Sequence, residues 1–209
     1  MHTPALIGWY NVVGGSPISY PTKGVWPSTY LDFAKVDFEE AKTQRCFVNA
    51  VSNAKRALHY QVDALVTALG WTHLKARNDF PTKLNFLGSC GVLSPTIIKR
   101  INKLRNSVEH DYYMPNEDET LEYIEIVELY LGATHYTATY FPDWIDAELI
   151  SDDEEYDPAM NLPDEIQIRL PEGAGKLTVC AKNEVIFDAG IDNARYFEWV
   201  AEIVKQNAS

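Results

Sequence analysis

The stretch from Ile98 to Tyr113 reads IKRINKLRNSVEHDYY, and the rest of the chain is best read outward from it. Ile97, Ile98, Ile101, Leu104 and Val108 recur at spacings of three and four, which predicts a helix with one buried face. Ser94-Pro95 gives its start: a cap residue, then proline at the first helical position, where no backbone donor is needed. Pro115 bounds it from beyond. The polar cluster Arg105, Asn106, Ser107, Glu109, His110 and Tyr112 therefore falls on the last turns of an amphipathic helix. Asn106 and His110, four apart, share a face, whereas Arg105 lies about 140° around the axis from His110. Only a long side chain brings that guanidinium back to the imidazole. A permanent cation beside a group that titrates near neutrality suits phosphoryl chemistry. A purely structural reading competes with it: Arg105 and Glu109 form an i,i+4 pair of opposite charge, and His110 complements a helix C-terminus.

Charge is distributed unevenly. The chain of 209 residues carries a net −12, yet residues 35–110 hold 12 Lys/Arg against 6 Asp/Glu, while residues 111–166 hold 17 Asp/Glu and no Lys or Arg. The basic part contains the cluster, with Lys99, Arg100 and Lys103 on the same stretch as candidate phosphate contacts. Cys46, Cys90 and Cys180 are scattered, without CxxC or metal-like spacing to histidine, which points to no metal site; no cofactor is expected either. They read as reduced thiols of a cytoplasmic protein. No apolar run approaches the roughly 18 residues of a membrane span, and the N-terminus lacks the basic-then-apolar order of a signal peptide.

Four regions follow. Residues 1–34, rich in Gly, Pro and aromatics, read as an arm that packs Trp9, Tyr10, Tyr20 and Trp26 onto the bundle or onto a second subunit, with a short strand over Leu6–Val13, or equally as a partly disordered leader. Residues 35–141 read as a helical bundle. Within it, apolar positions from Asp37 to Leu69 predict a rod of about 50 Å, long enough to break once, closed by Gly70. Arg56, His59 and Asp63 share one flank of that rod, as a solvated ion-paired face or as neighbours of the motif helix. A short helix starts at Phe80-Pro81-Thr82, and Asn116 with Glu119 predicts a capping box opening a helix to about Tyr140. Residues 142–165 read as an acidic, solvated linker, with closure of the basic site by this segment as a minor alternative. Residues 166–209 read as a small β-β-β-α appendage with a turn at Asn183-Glu184.

With this context the cluster resembles the HEPN superfamily, whose signature is Arg, a polar residue, three further positions, then His: here Arg105, Asn106 and His110. The resemblance covers roughly residues 37–140. It implies a mainly α fold, a HEPN-like antiparallel helical bundle, here with a small C-terminal β-hairpin/α appendage. It implies a metal-independent endoribonuclease, of a toxin or defence type, in which the 2′-hydroxyl of RNA attacks the adjacent phosphorus. Arg105, Asn106 and His110 would be catalytic, with Glu109 and Tyr112 in support. It further implies a homodimer joining two motifs in one cleft, and a protein regulator or antitoxin. Two other readings stay open: a non-catalytic binding or scaffold module on the same bundle that mediates protein or nucleotide interactions, and a nucleotide-binding or nucleotide-transferring partner system in which the bundle is regulated by modification of a tyrosine such as Tyr112 or Tyr113.

Overall fold

The computed structural model describes residues 3–40, 42–94, 96–97, 99–101 and 114–207. The chain is mainly α-helical, with an antiparallel five-stranded sheet. The long rod is two helices. Helix α1 spans Pro27–Glu40 and α2 spans Gln44–Ala68. Thr43 divides them: it is extended (φ −107°, ψ 154°), and its side chain accepts from the Cys46 amide, so α2 begins afresh there. Helix α1 also starts ten residues earlier than its apolar spacing suggests, with Pro27 as its first residue. The two helices fold back on one another, with Asn53 Nδ2 donating to Asp37 Oδ2 at 2.8 Å and Tyr30 against Tyr60. Ala34, Ala50, Ala54 and Ala57 are fully buried, small residues that let helix backbones approach.

Helix α3, Phe80–Ser89, is capped by Asp79 and runs beside the second half of α2. Helix α4, Glu117–Thr139, opens on the expected capping box between Asn116 and Glu119, with three acidic residues in its first turn where the helix dipole favours them. Gln44 contacts Pro115 at the start of α2, and Gln61 contacts Thr134 further on, so α2 and α4 run in the same direction. Pro115, just before α4, therefore lies at the beginning of α2.

The sheet has strand order β1-β2-β3-β4-β5: Tyr10–Asn11, Trp144–Leu149, Glu165–Arg169, Lys176–Ala181 and Glu184–Gly190. Two of these strands revise the sequence reading. The arm supplies β1 after a 3₁₀ segment, Pro4–Trp9, where a longer strand was expected; Pro4 starts the tight turn and Leu6 and Ile7 bury beneath it. The segment read as a linker supplies β2, whose exposed-buried alternation over Trp144–Glu148 is the mark of a half-buried strand. Its acidic tip, Asp152–Glu155, is exposed as expected. It lies by the arm: Tyr156 meets the Trp9 ring edge-on at 5.7 Å, and Tyr10 donates to the Pro163 carbonyl at 2.7 Å. The β4–β5 turn sits one residue earlier than read, on Lys182 (φ 50°) and Asn183 (φ 65°), the left-handed pair that matches strand twist.

One sheet face is buried through Ile145, Ile166, Ile168, Leu177, Val179 and Phe187. Against it packs α5, Ala194–Asn207, with Trp199 stacked on Phe187 at 4.2 Å. Sheet and bundle share one continuous apolar core. They are tied where α2 ends: the Gly173 amide donates to the Ala68 carbonyl (2.7 Å), and the Tyr196 hydroxyl to that of Leu69 (3.0 Å). Gly70 is left-handed (φ 86°), and a Cβ there would lie 2.2 Å from the Gly175 Cα.

Gly70→Ala is thus expected to cost about 2–4 kcal/mol through strain and backbone displacement. That lowers Tm by at least roughly 5 °C, whereas Gly132→Ala, whose Cβ meets nothing within 4 Å, leaves it unchanged or slightly raised. Differential scanning calorimetry of the two variants separates these outcomes. A second expectation concerns alkaline pH. The Tyr10 phenol is pushed up to about 12 by burial first, then by Tyr156 and Asp164. The folded state holds that proton more tightly than the unfolded chain, so the contribution is present below pH 10 and lost as pH rises from about 10 to 12. Urea unfolding across that window should show a shallower fall in stability for Tyr10→Phe than for wild type.

Candidate functional site

Arg105, Asn106, Glu109, His110, Tyr112, Tyr113 and Lys103 lie outside the described residues. The flanks of their segment are described. Residues 96–97 and 99–101 are helical; Ile101 is fully buried and Ile97 packs on the core, while Lys99 and Arg100 are exposed. One side of this first turn thus docks and the other presents two cations to solvent. On the far side, Gln44 Nε2 donates to the Pro115 carbonyl at 2.8 Å, and Lys42 pairs with Glu117 at 3.0 Å. Proline cannot donate in return, but its carbonyl accepts, and this contact fixes the chain just before α4.

The described contacts of the α2 flank are local or reach α3. Arg56 donates to Asn53 Oδ1 one turn back at 2.8 Å. Asp63 pairs with Lys83 of α3 at 2.7 Å, and the His59 ring stacks on Phe80 at 4.2 Å. These three residues bind α2 to its own surface and to α3. The expected grouping with the motif would require residues outside the description.

A polar network that the sequence reading passed over lies between the arm, α2 and α4. The Tyr20 hydroxyl donates to Gln61 Oε1 at 2.8 Å; Gln61 Nε2 donates to Thr134 Oγ1 at 3.1 Å; Thr134 donates on to the Tyr130 carbonyl at 2.9 Å. Gln61 and Thr134 are both buried. Burial raises the Tyr20 phenol, with the Gln61 contact acting the other way, so Tyr20 serves as a neutral donor. The Tyr130 hydroxyl is raised well above its ordinary value by burial, and then by Tyr20 and Asp63 nearby. The signal was present in the sequence: Gln61 falls between Leu58 and Leu65 on the apolar stripe of α2, and a polar residue on that stripe requires a partner. In front of this network a cavity of about 500 Å³ opens between Trp26, Leu31, Leu131 and the Gln61 floor.

The open face of the sheet holds a second concavity, of about 510 Å³, with Asp146, Glu148 and Glu165 around it. Glu148 stands opposite Glu165 in the register, a like-charged cross-strand pair. At the other end of the strands Arg169 covers the Trp144 ring at 4.2 Å. Among the described residues no group of three or more His, Cys, Asp or Glu side chains is arranged to hold a metal ion. Nor is any described helix long and apolar enough to cross a membrane.

No family model matches the chain, and neither a curated protein nor a solved structure matches it.

The network makes a checkable claim about coupling. Gln61→Leu, which strands the Tyr20 and Thr134 groups, is expected to cost about 2–3 kcal/mol, and Tyr20→Phe about 1 kcal/mol. In the double variant the losses should fall short of their sum by at least about 0.5 kcal/mol, because both remove one hydrogen bond. Losses that add fully in chemical denaturation would show the groups to be independent.

Proposed function

We propose that this chain is a metal-independent endoribonuclease built on a HEPN-like bundle. The single observation that carries the reading is Arg105-Asn106 followed by His110 in a stretch whose apolar spacing predicts an amphipathic helix, within the basic half of an acidic chain. The described flanks support it: Ile97 and Ile101 belong to the core side, Lys99 and Arg100 to the solvent side that RNA would meet.

The chemistry requires few parts. A general base takes the proton of the RNA 2′-hydroxyl as its oxygen attacks phosphorus, and a general acid protonates the departing 5′-oxygen. The products are a 2′,3′-cyclic phosphate and a free 5′-hydroxyl. His110 fills one of these roles, worth typically 10²–10⁴-fold. Arg105 holds the phosphate through its planar fork and counters charge growing in the transition state. Asn106 orients the imidazole or phosphate, while Glu109 and Tyr112 steady the cluster. One motif supplies one titrating group, so a C2 homodimer that joins two motifs supplies both acid and base. Exposed apolar residues give such a dimer a surface. Phe33 and Val36 on α1 are 51% and 62% exposed, and Leu129 on α4 is 68% exposed. The Lys35–Glu128 ion pair joins the two helices beside them.

A second reading, a non-catalytic binding or scaffold module, is favoured by the acidic open sheet face of Asp146, Glu148 and Glu165, which would repel RNA and suit a basic protein partner.

The purified chain is expected to cleave single-stranded RNA in excess EDTA, leaving 2′,3′-cyclic ends. Activity should fall by at least about 10²-fold in His110→Ala and vanish on a substrate with 2′-deoxy sugars. A folded dimer that cleaves no RNA would favour the binding module. Cleavage unchanged in His110→Ala would remove the motif from the mechanism.

A further inference from the structure

The cations of the basic region can be accounted for one by one. Residues 35–110 hold 12 Lys/Arg, of which Lys103 and Arg105 lie outside the described residues. Lys35, Lys42, Arg77 and Lys83 are each paired with a carboxylate. Arg56 donates to Asn53, and Lys55 is engaged as well. Arg45, Lys75, Lys99 and Arg100 remain, all exposed and without an ion pair or side-chain hydrogen bond among the described residues. Lys75 belongs to the connection between α2 and α3. Lys99 and Arg100 stand where the chain enters the motif stretch. Arg45 stands where the chain leaves it. Its neighbour Gln44 holds the Pro115 carbonyl at 2.8 Å, and His110, five residues before Pro115, is at most about 18 Å from that proline. A few nucleotides of RNA cover such a distance.

Arg45 has no local reason to be a cation. It is the second residue of α2, in the turn where the helix dipole opposes positive charge, and no acidic residue shares that turn with it. The acidic first turn of α4 lies nearby, but Glu117 there pairs with Lys42 and Glu119 is engaged in its capping box. An exposed guanidinium held against the dipole is suited to an anion supplied from outside, and its planar fork matches a phosphate. We infer that Arg45 binds a backbone phosphate of the RNA at the exit from the motif stretch, complementing Lys99 and Arg100 at its entry, so that the substrate is a strand extending beyond the cleaved bond. The inference rests on the ribonuclease reading above.

The test uses the full-length chain, with a fluorescein-labelled single-stranded RNA for cleavage. Its 2′-O-methyl counterpart, which lacks the attacking hydroxyl, serves for binding by fluorescence anisotropy. Arg45→Ala is expected to raise KM about fivefold or more and to leave kcat within about twofold, the mark of an interaction made equally in ground and transition states. It should weaken the 2′-O-methyl strand by a similar factor and lower the slope of log affinity against log salt by about 0.7, one phosphate contact on a single strand. Arg45→Lys, which keeps the charge, should retain the wild-type slope. The Tm of Arg45→Ala should match or exceed that of wild type, since a cation opposed by the dipole has been removed. Unchanged KM, affinity and salt slope in Arg45→Ala, while wild type cleaves, would overturn the inference and leave the ribonuclease reading standing. A fall in kcat together with a lowered Tm would overturn it too, by giving Arg45 a structural role. Arg45-dependent binding of the 2′-O-methyl strand by a chain that cleaves nothing would uphold the phosphate contact and remove the nuclease. Neither binding nor cleavage would remove both.

Discussion

The architecture depends on how the last turn of α2 is finished. A helix ends with carbonyls that no intrahelical amide can reach, and a buried end must find donors elsewhere. Here the donors come from more than a hundred residues downstream, from the Gly173 amide and the Tyr196 hydroxyl onto Ala68 and Leu69. Gly70 turns the chain in the left-handed region against the backbone of Gly175, where a side chain would not fit. The C-terminal region is consequently a layer of the same body. Its β3–β4 loop and α5 cap the helix that carries the bundle, and Trp199 and Tyr196 are fully buried in the shared core.

That junction explains why the ends of the chain are structured. The arm cannot bury its aromatics alone, but α2 offers it Tyr60 and Gln61, and β2 offers an edge for Tyr10 and Asn11. The cavity in front of Gln61 follows from this arrangement. It exists because arm, α1 and α4 converge on a polar residue that the apolar stripe of α2 would otherwise exclude. The acidic character of residues 111–166 is divided between the first turns of α4, where the dipole favours it, and the open sheet face and its loop. Two ion pairs, Lys35–Glu128 and Lys42–Glu117, bring the basic and acidic halves of the sequence together along the bundle.

Much of the helical layer was legible because short-range rules govern it. The Asn116–Glu119 box, the Gly70 stop and the start of α3 at Phe80 were each written in a few neighbouring residues. The division at Thr43 was less so. The apolar spacing continues through it, and only the extended backbone and cap contact show that α2 restarts there. Strand β2 was obscured by composition: Asp146 and Glu148 read as linker, although they are the solvent-facing half of an alternation whose other half, Ile145 and Ala147, is buried. The flank of Arg56, His59 and Asp63 was visible as a group, but the contacts of His59 and Asp63 with Phe80 and Lys83 of another helix were not.

The sequence by itself determined the body and end of α2, the starts of α3 and α4, the closing helix α5, the three C-terminal strands, the uneven charge, and the Arg105-Asn106-His110 motif on which the proposed activity rests. These follow from periodicity and local hydrogen bonding, interactions that span a few residues. Only the tertiary structure decided that the arm joins the sheet, that the β3–β4 loop and α5 cap α2, and that Gln61 links Tyr20 to Thr134 below a cavity. Those contacts join residues from about forty to more than a hundred positions apart, and no local periodicity encodes which distant partner a buried polar group will find.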